Sequence, residues 1–102
     1  MAITRESHNP DIRIPTKKEA DILLWLYENG PERSANIAKC FCVYTTNISS
    51  YLIQMYKNTN WINRVAAIGV YSEKQQKYYI YEINNYGIRS LLRFQELEKN
   101  KE

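Results

Sequence analysis

Two neighbouring segments of the chain have the composition of β-strands. In the segments before and after them, the apolar residues recur at the intervals of an α-helix. The strand-like segments are WINRVAAIGVYS, residues 61–72, and KYYIYEI, residues 77–83, both rich in β-branched and aromatic residues. The polar stretch EKQQK, residues 73–77, predicts a hairpin turn of four or five residues. A single antiparallel hairpin among helices predicts an α+β fold that is mainly α.

The first helical pattern has clear start and stop signals. Thr16 and Glu19 have the spacing of a capping box, and Gly30 followed by Pro31 should end the helix. The inner side of this helix is predicted to carry Ile22, Leu23, Trp25 and Leu26. Residues 1–15 contain two prolines and no sustained period, which predicts a flexible N-terminal arm.

Two further helices are predicted before the hairpin. The second lies in RSANIAKCF with Ser34 as its N-cap, and the third begins with Thr45 as N-cap in TTNISSYLIQM. The third helix should end near Asn58, with Asn60 supplying a left-handed residue. The residues predicted to be buried are Ile37, Ala38 and Phe41 in the second helix and Ile48, Leu52 and Met55 in the third.

The last helix is predicted to follow the hairpin directly. Asn84 is its expected cap, and the helix should extend from about Asn85 to Lys99. Its apolar residues cover more than one stripe, and a domain of this size has modest stability, so a partner subunit would help. We therefore expect a homodimer that pairs through residues 84–102. The residues predicted to form this interface are Ile88, Leu91, Leu92, Phe94 and Leu97.

The third helix has an unusual polar face. Opposite its apolar stripe it carries Thr46, Asn47, Ser49 and Ser50, which are short and uncharged, where solvated helices usually carry Glu and Lys. Such side chains suit hydrogen bonding within a groove, although the same pattern also fits a merely hydrophilic surface. The formal charge of the chain is +3. All of the excess lies between residues 31 and 83, with six basic residues against three acidic ones, which favours a polyanionic partner.

The order helix, helix, turn, helix, strand, strand, helix, over residues 22–92, resembles the winged helix-turn-helix domains of prokaryotic transcription regulators. It is most similar to small repressors of archaeal viruses and plasmids. The resemblance is carried by ILLWLYENGPERSANIAKCF, TTNISSYLIQM, WINRV and YYIYEINNYGIRSLL. Three positions depart from the family pattern. Cys42 and Asn60 stand where small residues or glycine are usual, and the recognition helix has no Arg or Lys before Lys57.

The resemblance implies a domain at residues 16–83 that binds double-stranded DNA as a regulator, most simply a repressor. The third helix, residues 45–58, would enter the major groove, with Asn47 reading adenine in an A·T-rich inverted repeat. The hairpin tip, residues 72–78, would contact the backbone or the minor groove. The residues assigned to DNA contact are Arg33, Ser34, Thr45, Thr46, Asn47, Ser49, Ser50, Lys57, Arg64, Lys74 and Lys77.

Two other interpretations remain open at this point. A winged helix with a charge-poor recognition helix can be a protein-interaction module without DNA binding. Tyrosines are plentiful, and alternation places Tyr79, Tyr81 and Ile83 on one face of the second strand and Tyr78, Ile80 and Glu82 on the other. These rings favour core packing, but aromatic residues on strands can also stack with single-stranded nucleic acid.

Several other classes of function have little support in the sequence. There is no Gly-rich phosphate loop and no Ser-His-Asp set, so we expect no enzyme, cofactor or small-molecule effector. Cys40, Cys42 and His8 cannot supply four zinc ligands, and at least one of the thiols is expected to be free and buried. No apolar run of about 18 residues and no signal-peptide h-region is present, which predicts a cytoplasmic protein, in the host cell if viral.

Overall fold

The computed structural model describes residues 13–71 and 74–101, except for the side chains of residues 70–75. Within these residues it contains four helices and one two-stranded antiparallel sheet. The elements are α1 (Lys17–Asn29), α2 (Ser34–Phe41), α3 (Thr45–Asn58), β1 (Ile62–Tyr71), β2 (Lys74–Ile83) and α4 (Asn85–Asn100). This α+β arrangement, dominated by helices, is compatible with a winged helix that carries an additional C-terminal helix.

The core lies where α1, α2, α3 and the base of the hairpin meet. Helical spacing places the predicted apolar stripes of the first three helices there, and Trp61 at the start of the hairpin is fully buried among them. The buried apolar residues are Ala20, Ile22, Leu23, Leu26, Ile37, Ala38, Ile48, Leu52, Met55, Trp61, Ile62, Tyr81 and Leu91. The predicted inner residues Trp25 and Phe41 are only partly buried and pack against this core.

The start of α1 confirms the predicted capping box. The Thr16 hydroxyl accepts a hydrogen bond from the Glu19 backbone N–H, and the Glu19 carboxylate accepts one from the Thr16 backbone N–H. At the other end, Gly30 has φ 88° and donates its N–H to the Leu26 carbonyl. This conformation favours glycine, and it ends the helix where the sequence predicted.

Of the predicted arm, residues 1–15, the structure describes residues 13–15, and residues 1–12 lie outside the described part. The Arg13 guanidinium donates two hydrogen bonds to the Glu19 carboxylate, at 2.8 and 2.9 Å, and lies 4.8 Å from the centroid of the Trp61 ring. Pro15 is buried. Residues 13–15 are therefore held against the domain, because Glu19 offers a carboxylate to Arg13 as well as capping the helix.

The predicted N-caps of α2 and α3 are each wrong by one residue. Ser34 and Thr45 are the first helical residues, and the caps are Arg33 and Tyr44, neither of which makes a side-chain capping bond. Glu32 supplies the missing acceptor at α2, since its carboxylate accepts from the Arg33 N–H and from the Asn36 side chain. The Ser34 hydroxyl is thus left to bond α3 instead of capping its own helix.

The turns on either side of α3 also differ from the prediction. Cys42, between α2 and α3, is left-handed with φ 56°, and it is the one non-glycine residue of the described chain with positive φ. Asn60 is not left-handed. Instead, extended Thr59 ends α3: its hydroxyl donates to the Met55 carbonyl at 2.6 Å and accepts from the Trp61 N–H at 3.2 Å. Thr59 therefore ends α3 in place of Asn60, to which the sequence analysis assigned this role.

The hairpin is longer than the sequence predicted. The ladder runs from the pair Ile62 and Ile83 to the pair Tyr71 and Lys74, so the polar residues 74–77 belong to β2 and not to a turn. Residues 72 and 73 lie outside the described part. On the side of β2 away from β1, one residue of the α1–α2 loop pairs with the strand. Tyr81 and Glu32 exchange backbone hydrogen bonds there, at 2.9 and 3.0 Å.

A compact turn joins the hairpin to α4 and confirms Asn84 as the cap. Its side-chain oxygen accepts from the Gly87 N–H, and its amide nitrogen donates to the Asn60 carbonyl. A Cβ on Gly87 would lie 2.3 Å from the Trp61 carbonyl oxygen. Glycine in NNYG therefore lets the first turn of α4 approach the base of β1 closely.

Candidate nucleic-acid interface

The outward side of α3 is polar and exposed, as the sequence predicted. An α-helix has about 3.6 residues per turn, so Thr46, Ser50 and Lys57 lie opposite the buried stripe. All three are exposed. Gln54, one turn after Ser50, is also exposed and accepts a hydrogen bond from the Asn58 amide. Sequence reasoning missed Gln54, although its spacing of four from Ser50 was a usable signal.

Asn47 lies on the α1 side of the outward stripe. It is exposed, and with Ser50 and Tyr51 it lines a cleft of about 650 Å³ between α3 and α1. Lys18 and Asp21 of α1 line the same cleft. Thr46 and Ser50 are therefore better placed than Asn47 to meet a flat partner in front of the helix.

The hairpin borders the opposite side of the stripe. Ser49 donates a hydrogen bond from its hydroxyl to the Ser34 hydroxyl at 2.9 Å, which ties α3 to α2. A groove of about 580 Å³ separates these helices from β2. Its lining residues include Ser34, Ser49 and Ile53 on the helices and Tyr78 and Tyr79 on β2.

Arg33, another predicted contact residue, lies at the α2 end of this groove. Its guanidinium carbon is 5.0 Å from the centroid of the Tyr78 ring. Thr45, which begins α3, is exposed.

Two basic residues of the hairpin, Arg64 and Lys77, lie among tyrosines. The Arg64 guanidinium carbon is 4.2 Å from the centroid of Tyr56 on α3 and 4.1 Å from that of Tyr79 on β2. The Lys77 amine is 5.6 Å from the Tyr79 centroid. The hydrogen bond to the Tyr81 hydroxyl raises the pKa of Arg64 above its ordinary value. Arg64 therefore stays fully charged at any physiological pH. The side chain of Lys74 lies outside the described part.

The tyrosine faces of β2 follow the predicted alternation. Tyr81 is buried, and Tyr79 and Ile83 pack against the core. On the other face, Tyr78 is half-buried. The rings of Tyr79 and Tyr81 lie 6.5 Å apart and tilted. Because most of these rings are engaged within the domain, the structure favours the packing interpretation over a platform for single strands.

The apolar residues of α4 divide into two groups that the sequence could not separate. Leu91 is only 4% exposed and Phe94 packs against the core, so both serve the fold of a single chain. Leu92 is 56% exposed and Leu97 is 44% exposed, while Ile88 is half-buried. Of the five predicted interface residues, Leu92 has the most surface left for a partner.

Two further features differ from expectation. Cys40, within α2, and Cys42, in the α2–α3 turn, are both exposed and unbridged, so neither is the buried thiol that was predicted. Tyr44, the N-cap of α3, is 81% exposed beside the polar stripe. No periodic pattern marks it, since it lies in the turn.

The described helices, in residues 13–71 and 74–101, are each too short or too polar to cross a lipid bilayer. No known protein-family model matches the chain, and no curated protein is similar to it in sequence.

Proposed function

We propose that the protein is a winged helix-turn-helix regulator that binds double-stranded DNA as a homodimer and represses transcription by occupying its site. α3 would lie in the major groove, and the hairpin would act as the wing, along the backbone or in the minor groove. One observation carries the proposal. The exposed, uncharged stripe of α3 is bordered by a hairpin that carries Arg64 against Tyr56 of α3 and Lys77 near Tyr79.

The stripe has the chemistry of a base-reading surface. The amide of Gln54, like that of Asn47, can donate to and accept from adenine in the major groove, which discriminates by about 1–3 kcal/mol. The methyl group of Thr46 suits contact with a thymine methyl. We therefore propose A·T-rich half-sites, arranged as an inverted repeat with centres about 34 Å apart for a symmetric dimer.

A salt-titrated mobility-shift assay on random-sequence duplex DNA tests the central claim. Because the proposed wing and helix contacts neutralise phosphates, affinity should fall steeply with salt, by about 0.9 in log–log slope for each phosphate contact. Absence of any binding at about 50 mM salt would contradict the proposal. Selection of oligonucleotides from a random pool would then give the sequence of the half-site.

A matched pair of charge substitutions locates the contact on α3. Gln54→Glu adds a negative charge to the outward stripe and should weaken duplex binding at least tenfold, because the new carboxylate would face phosphates. Gln95→Glu makes the same change on exposed α4 and should leave binding to a single half-site nearly unchanged, since that binding does not require the dimer. Equal effects of the two substitutions would place the contact elsewhere.

The second candidate function is that of a protein-interaction module. It is favoured by the lack of Arg or Lys in α3 before Lys57 and by the exposed ring of Tyr44 at the start of the helix. The same assay separates the two candidates, since a protein-interaction module would show no salt-dependent binding to duplex DNA at all.

A further inference from the structure

The environment of Arg64 differs from that of an ordinary surface arginine. Tyr56 of α3 and Tyr79 of β2 lie on the guanidinium at almost equal distances, 4.2 and 4.1 Å from its carbon to their ring centroids. Each contact has the geometry of a cation–π interaction. Two tyrosines from two elements thus hold one guanidinium at the junction of α3 and the hairpin.

This arrangement leaves Arg64 with unused hydrogen-bonding capacity. Cation–π contact with the two rings leaves the five N–H donors of the guanidinium available to oxygen acceptors. The side chain is half-exposed. Among the described residues, no carboxylate lies within ion-pair distance of Arg64, Lys57 or Lys77. The junction is therefore cationic and has no described internal anion to neutralise it.

We propose that Tyr56 and Tyr79 hold Arg64 as a preformed fork for a phosphate group, which in the proposed function is a phosphodiester of the DNA backbone beside the wing. A planar guanidinium can bind two phosphate oxygens at once, and fixing it beforehand reduces the conformational entropy lost on binding. This inference rests on the proposed function for its ligand. Tyr56 and Tyr79 are positioning residues in it, since they act through Arg64.

Duplex binding by substituted chains distinguishes the phosphate contact made by Arg64 from the positioning role of the tyrosines. Arg64→Gln should weaken binding about tenfold and lower the log–log salt slope by about 0.9, because one phosphate contact is lost. Tyr56→Leu should weaken binding several-fold with little change in slope, since the charge remains but is no longer held. Tyr56→Phe keeps the ring and should restore most of the affinity. Arg89→Gln is the matched control when binding to a single half-site is measured, because Arg89 lies on α4, 5.3 Å from the Tyr86 ring, and half-site binding does not require the dimer.

A second measurement on the DNA-free protein keeps this inference separate from the proposed function. The Nε–Hε resonance of Arg64 should be resolved in NMR spectra of the wild type, should broaden in Tyr56→Leu, and should shift on titration with inorganic pyrophosphate. If these NMR changes are seen but the protein binds no duplex DNA, the phosphate fork is supported and the DNA-binding proposal is refuted. The fork is refuted if Arg64→Gln leaves the salt slope unchanged, or if the resonance is insensitive to both Tyr56→Leu and pyrophosphate. Unfolding curves for each variant show whether the chain remains folded.

Discussion

At the scale of single residues, the turn between α2 and α3 stores backbone strain at Cys42. Its φ of 56° and ψ of 44° place it in the left-handed region, which costs a non-glycine residue about 1–2 kcal/mol. The side chain is exposed and unbridged, so it contributes little packing in return. The left-handed conformation lets the next N–H, that of Val43, donate to the Ala38 carbonyl at 3.1 Å while the chain reverses towards α3.

Cys42→Gly should therefore stabilise the protein by about 0.5–1 kcal/mol, since relief of strain exceeds the added entropy of the unfolded chain. Cys42→Val should destabilise it by about 1 kcal/mol or more, because a β-branched residue tolerates this conformation poorly. Urea unfolding monitored by circular dichroism measures both effects. Cys40→Gly is the control: it lies within α2 and should be destabilising. A neutral or destabilising Cys42→Gly would mean that the turn is not strained.

At the scale of elements, the start of α1 depends on one carboxylate. Burial acts to raise the pKa of Glu19, but hydrogen bonds from Arg13 and from the Thr16 backbone outweigh it, so the pKa lies below its ordinary value. A carboxylate with a lowered folded-state pKa stabilises the protein fully above the ordinary pKa of glutamate, about 4.3. That contribution is lost as the pH falls through the lowered folded-state value.

Glu19→Gln should cost about 1–2 kcal/mol of unfolding free energy at neutral pH, because the charged bonds to Arg13 are lost. The difference from wild type should shrink as the pH falls below the ordinary pKa of glutamate, about 4.3, and should vanish once the pH passes the lowered folded-state pKa of Glu19. Unfolding curves recorded at a series of pH values measure this. Asp21→Asn is the control, since its pair with Lys17 is exposed and contributes little. A pH-independent difference would show that the charge of Glu19 is not what stabilises the segment.

The elements also show what sequence patterns can and cannot determine. The helix periods, the capping box at Thr16, the stop at Gly30 and the N-cap at Asn84 were predictable, because each depends on residues close together in the chain. The end of α3 near Asn58 was also predictable, but the residue that ends the helix was not, since Thr59 and Asn60 compete for that role and the hydrogen bond from the Trp61 N–H decides in favour of Thr59. The length of the hairpin was underestimated because backbone pairing extends β2 through polar residues 74–77 without a hydrophobic pattern.

The candidate site was predictable to a similar degree. Helical spacing was enough to place Thr46 and Ser50 on the outer face of α3. The sandwich around Arg64 was not predictable, because Tyr56, Arg64 and Tyr79 come from three elements and meet only in the folded chain. For the same reason, the sequence could not divide the apolar residues of α4. A helical pattern does not distinguish apolar residues that pack within one chain from those that face another copy.

At the scale of the whole molecule, the proposed dimer must use surface that the single chain leaves exposed. Leu92 meets this condition, and Leu91, one residue earlier, does not. Leu92→Glu should therefore convert a dimer into a folded monomer and weaken binding to an inverted repeat far more than to a single half-site, since the two subunits no longer bind together. Leu91→Glu should instead unfold the chain, because it buries a charge in the core. Sedimentation equilibrium with circular dichroism distinguishes these outcomes. A wild-type chain that stays monomeric at high concentration, or a Leu92→Glu chain that still pairs, would show that α4 does not join two copies.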